Sequence, residues 1–187
     1  MNEELKEKLK NIKAVAFDGD GVFFSGSVFI DPEKGEVLKQ RSHIDGQGIS
    51  FLRDIGIKVA IISSEKTGFI EKIGEKLNNL PSVQGGKWDK MGIFTGPAGG
   101  EKVESLTNWL TQYNLTFDDL AYMGDDLTDY ETLEKAKVAV VPNQAEEVVK
   151  KIADYITPRI GGSGAIRDLC NLILEAKEID VTSLTLR

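Results

Sequence analysis

Two aspartates stand one residue apart at the end of an apolar segment, in the sequence Ala14-Val-Ala-Phe-Asp18-Gly-Asp20. The β-branched and aromatic residues predict a strand that is buried on both faces. Two unpaired carboxylates are costly to bury, so we expect Asp18 and Asp20 to face an open cleft and to share a cation. For this pair alone, an acidic turn without any chemistry is the alternative interpretation.

Two further polar sites, Ser63 and the pair Asp125-Asp126, also follow predicted buried strands directly. In an open parallel sheet the carboxyl ends of the strands share one edge, where ligands bind, and right-handed crossovers bring these groups to it. The carboxylates of Asp18 and Asp125, with a backbone carbonyl between them, suit Mg²⁺ and a substrate phosphate. The convergence of three polar sites therefore predicts a phosphate and magnesium site.

The phosphate itself needs a hydroxyl, backbone amides and a cation. Ser63 supplies a hydroxyl, and we expect amides of a helix N-terminus to follow it. Lys102, in the first turn of the helix before the Asp125 strand, is placed to supply the positive charge. Taken singly, Ser63 is equally typical of a helix N-cap and Lys102 of a solvated lysine.

The elements that must position these residues alternate between strand and helix patterns, which predicts an α/β fold. We expect a Rossmann-like parallel sheet with helices on both faces in a single domain, residues 1–187. A β-hairpin flap is predicted after the first strand, at 24–42, followed by a loop at 42–48. The glycine-rich segment 84–100 is predicted as an irregular insertion, and 158–187 as a C-terminal tail.

Composition excludes several classes of function. The net charge of −7 and the lack of a long basic run argue against a nucleic-acid or anionic-membrane partner. The only cysteine is Cys170 and the only histidine is His43, so a disulfide within the chain and a Cys/His zinc site are impossible. The N-terminal residues are charged throughout, which predicts a cytoplasmic protein with no signal peptide or membrane span.

The motifs Asp18-Gly-Asp20, Ser63, Lys102 and Gly124-Asp125-Asp126 resemble, in order and context, those of the haloacid dehalogenase superfamily of aspartate-dependent phosphatases. The resemblance is strongest to its capless branch, which acts on 2-keto-3-deoxy sugar-acid phosphates, and runs from about residue 13 to 174. It implies a fold without a cap domain and a Mg²⁺-dependent phosphomonoesterase of lipopolysaccharide or sialic acid biosynthesis.

The resemblance also implies a role for each motif residue. Asp18 would be the nucleophile that forms an aspartyl phosphate, and Asp20 would be the general acid and base. The remaining implied roles are phosphate binding by Ser63, Ser64 and Lys102, Mg²⁺ binding by Asp18, Asp125 and the Asp20 carbonyl, and a supporting contact from Asp126. Asp129 is expected to be a helix-turn acid rather than a metal ligand.

Members of the branch form tetramers, so the resemblance implies a homotetramer with the hairpin at the interface. It implies substrate contacts from the loop residues Ser42, His43, Asp45 and Gly46, and from Arg167 toward an adjacent subunit. For Arg167 a surface role is the alternative, and for His43 a structural one.

Two departures from the family pattern concern specificity. Most relatives have Thr-Gly-Arg where this chain has Ser63-Ser64-Glu65, and Glu65 with Lys76 is similar to the pair of the branch acting on a nine-carbon 9-phosphate. We therefore expect that substrate over an eight-carbon 8-phosphate. The other departure is that Lys90 also resembles the family lysine, although the spacing to Asp125 favours Lys102.

Two other classes of function compete with a phosphatase. One is a non-catalytic oligomerisation module related to these enzymes. The chain retains the acids and the lysine of the family motifs, which argues against this alternative. The other is a phosphorelay receiver, whose phosphorylated aspartate would follow a later strand than the first. The segment after Glu178 alternates in character, and its pattern does not distinguish an edge strand from an unpaired tail.

Overall fold

The computed structural model describes residues 1–184. Within these residues, eight strands and eight α-helices follow one another, with short 3₁₀ turns at Phe117–Asp119, Leu127–Asp129 and Val181–Ser183. In chain order they are α1 (Glu3–Lys10), β1 (Ala14–Asp18), β2 (Val28–Asp31), β3 (Gly35–Lys39), α2 (His43–Asp54), β4 (Lys58–Ser63), α3 (Phe69–Asn78), α4 (Pro81–Gln84), β5 (Gly92–Thr95), α5 (Gly100–Thr111), β6 (Leu120–Met123), α6 (Tyr130–Lys135), β7 (Val138–Val141), α7 (Glu147–Lys150), β8 (Tyr155–Ile156) and α8 (Ala165–Ala176).

Six strands form one parallel sheet in the order β5-β4-β1-β6-β7-β8. The first strand, β1, lies between β4 and β6, and the chain runs outward from it on both sides. The strand order therefore reverses at β1, and this is the point at which open α/β sheets bind ligands. The predicted α/β class and the parallel sheet are confirmed.

Helices cover both faces of the sheet, as predicted. Side chains alternate along β1, so that Val15 and Phe17 join the core under α1, α2, α3 and α8. Ala14 and Ala16 join the opposite core, under α5, α6 and α7. Phe17 is completely buried, which stabilises the fold by roughly 1.5–3 kcal/mol relative to an exposed side chain. These two cores fix the central strand that ends in Asp18.

The predicted hairpin is confirmed and forms a separate two-stranded sheet, in which β2 and β3 pair antiparallel. Its turn contains Gly35 at a φ of +77°, a left-handed conformation that favours glycine. Phe29 and Leu38 are cross-strand partners, and both side chains are largely exposed. The hairpin thus presents apolar side chains to the outside of the subunit.

The segment 84–100 differs from its predicted irregular structure, because it contains β5, the edge strand of the main sheet. Gly92 opens this strand where a side chain would have no room: a Cβ there would lie 2.9 Å from Nε1 of Trp109 and 3.2 Å from Cβ of Ala60. The glycine serves close packing rather than a loop. Trp88, just before β5, is buried, and its Nε1 donates a hydrogen bond to Asp54.

The predicted loop at 42–48 is also wrong, because α2 already begins at His43. Ser42 is its N-cap, and its side chain accepts a hydrogen bond from the amide of Ile44. Gly48 lies where α2 crosses α8, and a Cβ there would lie 2.9 Å from Sγ of Cys170. Gly48, one of the glycines that suggested a loop, therefore allows two helices to pack closely.

The remaining differences are at element ends. The helices α6 and α7, on either side of β7, are short, with six and four residues. Of the segment after Glu178, residues Val181–Ser183 form a 3₁₀ turn, and residues 185–187 lie outside the described part of the chain. Between residues 1 and 184, no helix is long and apolar enough to cross a membrane. The single-domain organisation remains a prediction.

Candidate active site

A cleft of about 320 Å³ opens at the carboxyl edge of the sheet, where β1, β4 and β6 end. It is lined by the polar residues that were predicted to converge and by the glycines and short side chains between them: Asp18, Asp20, Gly21, Gly26, Ser63, Ser64, Glu65, Asp125, Asp126 and Thr128. The three strand ends therefore meet at one site, as their positions in the sequence indicated.

Lys102 lies buried behind Asp18, one of the residues that line this cleft. Its side chain is 1% exposed, and its Nζ forms ion pairs with the carboxylates of Asp18 and Asp129. Lys90, the alternative lysine, is exposed and precedes β5, at the opposite edge of the sheet. The geometry therefore favours Lys102 as the cation next to Asp18.

Asp129 is more than the helix-turn acid that the sequence suggested. It is fully buried, and its Oδ1 accepts hydrogen bonds from Nζ of Lys102 at 2.7 Å and from the hydroxyl of Tyr122 at 2.5 Å. Its Oδ2 accepts hydrogen bonds from the amides of Asp125 at 3.0 Å and Asp126 at 3.4 Å. Asp129 thereby joins the lysine to the loop that carries Asp125.

This role of Asp129 was missed, although its spacing carried a signal. Asp129 follows Asp125 by four residues, and Gly124 lies directly against it. A Cβ at Gly124 would overlap the Asp129 side chain. Oδ1 of Asp126 accepts a hydrogen bond from the neighbouring amide of Leu127 at 2.6 Å, and a supporting contact from Asp126 remains a prediction.

Negative charge exceeds positive charge at the floor of the cleft. Carboxylate oxygens of Asp18, Asp125 and Asp129 lie within 4.8 Å of one another. Burial, with the charges of Asp129 and Asp126, raises the pKa of Asp125 to about 7. Burial and the charge of Asp129 also raise the pKa of Asp18 well above its usual value, although Lys102 opposes this. Burial alone would lower the pKa of Lys102, but the two acids outweigh it and raise that pKa.

Such a cluster fits a hard divalent cation. Carboxylate and carbonyl oxygens are the ligands that Mg²⁺ prefers, and a second cation would relieve the repulsion that raises these pKa values. Asp18 and Asp125 both line the cleft, whereas both oxygens of Asp129 already accept hydrogen bonds within the protein. Asp18 and Asp125 are therefore the carboxylates best placed to bind a metal ion.

The carboxylate of Asp20 has a partner that the sequence did not indicate. Both of its oxygens lie within hydrogen-bond distance of Nζ of Lys39, at 2.8 and 2.9 Å. Lys39 is the last residue of the hairpin strand β3. No motif pointed to this lysine, since hairpin strands commonly carry exposed lysines.

The loop after Asp18 is held by a second unpredicted residue, Gln144, which follows β7. Its Nε2 donates a hydrogen bond to the carbonyl of Gly21 at 2.6 Å, and its Oε1 accepts one from the amide of Gly161 at 2.9 Å. Gly21 has a φ of +82°, and a Cβ there would overlap the Asp125 carboxylate. Glycine is thus required where the Asp125 carboxylate approaches the backbone.

Ser63 is buried in the cleft floor, but it does not lead into a helix as predicted. The helix α3 begins at Phe69, so the amides that follow Ser63 belong to a loop, and that of Glu65 donates a hydrogen bond to Oγ of Ser63 at 3.2 Å. Oγ of Ser64 donates to the carbonyl of Pro97. Ser63, Ser64 and Glu65 nevertheless all line the cleft.

The predicted substrate residues of the 42–46 segment belong to α2 instead. Asp45 is 1% exposed, and its carboxylate accepts hydrogen bonds from the amides of Gly164 at 3.1 Å and Arg167 at 2.9 Å. It therefore caps α8, and a substrate contact from Asp45 remains a prediction. Ser42 caps α2, His43 is exposed in its first turn, and the carbonyl of Gly46 accepts a hydrogen bond from Ser50.

Two other predicted substrate residues lie away from the cleft of their own subunit. Nε of Arg167 donates to Asn171 at 2.7 Å, and its guanidinium lies 4.7 Å from the ring centroid of Phe51. Lys76 lies on the exposed side of α3. Among the described residues, the cleft lining includes Glu65 but neither of these two.

Comparisons with known proteins agree with this site. Residues 4–166 match the model of the haloacid dehalogenase-like hydrolase family. The chain is 31% identical over 170 residues to a 3-deoxy-D-manno-octulosonate 8-phosphate phosphatase of Salmonella typhi. The aligned region covers 91% of this chain and 83% of that protein.

Solved structures of related phosphatases also have the fold of this chain. The phosphatase of that name from Moraxella catarrhalis, in complex with magnesium, phosphate and its sugar acid, is 28% identical with a TM-score of 0.83 and covers 95% of this chain and 94% of its own. A cobalt-bound relative from Haemophilus influenzae is 29% identical with a TM-score of 0.80, covering 91% and 92%. These matches contradict the phosphorelay-receiver alternative, and the chain belongs to the haloacid dehalogenase-like hydrolases.

Proposed function

We propose that this chain hydrolyses the phosphate monoester of a 2-keto-3-deoxy sugar acid through an aspartyl phosphate on Asp18. That it is a phosphoric monoester hydrolase follows from its family and its relatives. The observation that carries the mechanism is the buried cluster in which Lys102 contacts Asp18 beside Asp125 and Ser63. Phosphoryl transfer requires an anionic nucleophile, a hydroxyl that binds the phosphate, and positive charge, which Lys102 and the proposed Mg²⁺ would supply.

In this proposal each side chain acts at a stated atom. A carboxylate oxygen of Asp18 attacks phosphorus while Asp20 gives a proton to the leaving alkoxide oxygen. Asp20 then accepts a proton from the water that attacks the aspartyl phosphate. The Lys102 ammonium and the Ser63 hydroxyl hold phosphoryl oxygens, and Ser64 lies at the same wall of the cleft.

Mg²⁺ would be held by Asp18, Asp125 and the carbonyl of Asp20. When bound, it supplies positive charge that offsets repulsion between the nucleophile and the phosphate. Support comes from the excess of acids over cations in the cluster and from relatives that contain magnesium or cobalt. Asp129 serves in this proposal as the residue that orients Lys102.

The choice between an eight-carbon and a nine-carbon acid rests on Glu65. Most members of the branch have an arginine at this position, and a carboxylate in the cleft favours a substrate with hydroxyl groups or an amine there over an additional anionic group. We retain the nine-carbon 9-phosphate as the preferred substrate. Lys76 offers weaker support than the sequence suggested, because it is exposed on α3.

We also propose a homotetramer assembled through the hairpin. Phe29, Ile30 and Leu38 are 62%, 70% and 61% exposed, and a cluster of apolar side chains on a hairpin is typical of a protein interface. In such an assembly Arg167 could reach the substrate of an adjacent subunit. A cytoplasmic location remains a prediction.

Phosphate release from a small panel tests the proposal: an octulosonate 8-phosphate, a nononate 9-phosphate and N-acetylneuraminate 9-phosphate, each with and without Mg²⁺. We expect Mg²⁺-dependent turnover that Asp18→Asn abolishes, with the highest kcat/KM for a nine-carbon acid. A folded protein that releases no phosphate from any of them would overturn the substrate class. If it also assembled normally, the non-catalytic oligomerisation module would be favoured.

A further inference from the structure

The hairpin strand β3 ends at the acid-base residue of the proposed reaction. Nζ of Lys39 lies 2.8 Å from Oδ1 and 2.9 Å from Oδ2 of Asp20. The Lys39 side chain is 2% exposed, whereas that of Asp20 is 28% exposed. A single ammonium group thus contacts both oxygens of a carboxylate that lines the cleft.

The surroundings of Lys39 fix the position of this ammonium. Its Nζ lies 5.9 Å from the ring centroid of Phe24 and 5.6 Å from that of Phe69, and 3.2 Å from Oε2 of Glu36. An ammonium buried between aromatic rings is costly unless it is paired with a carboxylate. The buried packing around Lys39 therefore fixes its contact with Asp20, whereas the two side chains of an exposed ion pair can separate freely.

A general acid must lie within hydrogen-bond reach of the atom that it protonates, and small displacements reduce the rate strongly. Asp20 belongs to a loop, so its backbone alone does not fix its carboxylate. Lys39 supplies the missing constraint, and it comes from the hairpin rather than from the sheet. The position of the hairpin is thereby coupled to the position of the acid.

We propose that Lys39 is a positioning residue that holds the Asp20 carboxylate at the leaving-group side of the cleft and makes the acid-base step depend on the hairpin. This rests on the proposed function of Asp20. In the first step, the bond between phosphorus and the sugar oxygen breaks, and the proton moves from Asp20 to that oxygen. In the second step, the oxygen of a water molecule bonds to phosphorus, the bond between phosphorus and Asp18 breaks, and the water gives a proton back to Asp20. Lys39 keeps its own protons in both steps.

The leaving group provides the test. A sugar alkoxide needs a proton in order to depart, whereas p-nitrophenolate departs without one, so only the first depends on Asp20 in the first half-reaction. Lys39→Met removes the ammonium and keeps an apolar chain between the two rings. Single-turnover quench experiments on the Mg²⁺-loaded full chain would measure formation of the free sugar acid and of p-nitrophenolate.

We expect Lys39→Met to lower the single-turnover rate constant for release of the sugar acid by about tenfold to a hundredfold, without a change in the enzyme concentration that gives half of the maximal rate. The rate constant for p-nitrophenolate release should fall by less than about threefold. Lys34→Met, at the exposed hairpin turn, is the matched control and should change neither. Equal losses for both leaving groups, or no loss, would overturn the proposal.

A second variant keeps the test decisive if Lys39→Met does not fold. Lys39→Gln retains a hydrogen-bond donor without the charge, and it should show the same selective loss for the sugar substrate. An equal effect on both leaving groups would again contradict the positioning role. Failure of the proposed function is distinguishable, because the wild-type chain would then release no sugar acid, whether or not it releases p-nitrophenolate.

Discussion

Lys102 and Asp129 form an ion pair at 2.7 Å in which neither side chain is more than 1% exposed. The pair joins the first turn of α5 to the loop after β6, and the same ammonium reaches Asp18 at the end of β1. The central strand β1 and two other elements are therefore tied together at one buried charge. The cluster depends on all of its members, since each partner offsets the desolvation of the others.

Asp129→Asn should damage both stability and activity. An asparagine has one acceptor oxygen, so its NH₂ group must face either Lys102 and Tyr122 or the amides of the Asp125 loop, and donors lose their acceptor in either orientation. We expect the free energy of unfolding to fall by about 1–3 kcal/mol. We also expect kcat to fall at least about tenfold, because Lys102 loses its orientation.

Urea unfolding and Mg²⁺-dependent phosphate release would measure these two effects. Asp118→Asn is the matched control, since the side chain of Asp118 is 89% exposed. Wild-type stability and turnover in Asp129→Asn would show that the cluster does not need this carboxylate.

Mg²⁺ should stabilise the protein more at pH 8 than at pH 5. The pKa of Asp125 is about 7 in the folded chain against an ordinary value of 3.8, so the metal-free folded state binds this proton more tightly than the unfolded state. Its contribution to stability is therefore lost as the pH rises from about 4 to 7. Mg²⁺ needs the ionised carboxylates, so its effect grows over the same range.

Thermal unfolding with and without saturating Mg²⁺ checks this pH dependence. We expect the rise in Tm to be larger by at least about 3 °C at pH 8 than at pH 5, and to be largely lost in Asp125→Asn. A shift of equal size at both pH values, or one that survives Asp125→Asn, would place the metal elsewhere.

Gln144→Leu should loosen the loop that carries Asp20. The substitution leaves the carbonyl of Gly21 and the amide of Gly161 without their side-chain partner, at a cost of about 1–3 kcal/mol in the free energy of unfolding. The value of kcat/KM should fall together with stability, because Gly21 lines the cleft. Gln112→Leu, at an exposed position after α5, should change neither; equal behaviour of the two variants would refute this role of Gln144.

The hairpin should hold the assembly together. Phe29 and Leu38 are adjacent across the hairpin, and replacing both by aspartate would place charges in the proposed interface. Light scattering should give four times the 20.5 kDa chain mass for the wild type and a smaller mass for the double variant. Val148→Asp, at an exposed apolar position away from the hairpin, is the control. A wild-type mass equal to one chain at all concentrations would exclude the tetramer.

The strongest sequence signals were continuous apolar runs that end in polar residues. The strands ending at Asp18, Ser63 and Met123 were predictable because each is buried on both faces and reads as an unbroken apolar segment. Glycine was misleading at Gly92 and Gly48, where its role is close packing between elements. Such packing depends on the partner element and leaves no local pattern.

The site was predictable where it follows strands and unpredictable where it depends on distant segments. Lys39 reaches Asp20 from a hairpin, and Gln144 reaches Gly21 from the segment after β7, so neither contact follows from spacing. Asp45 likewise caps α8 from a different helix, a contact that its position in the sequence does not indicate. Sequence order identifies the edge of the sheet, and tertiary packing decides which side chains meet there.

The central claim is that Asp18 carries the phosphoryl group, and a trapping experiment tests it most directly. In Asp20→Asn, the first step with p-nitrophenyl phosphate needs no proton donor, while the second step lacks its base, so the intermediate should accumulate. Acid quenching with ³²P-labelled substrate and Mg²⁺ should then place the label on the peptide that contains Asp18, and Asp18→Asn should carry none. If the wild type turned over the substrate but neither the wild type nor Asp20→Asn carried label, the result would contradict the account.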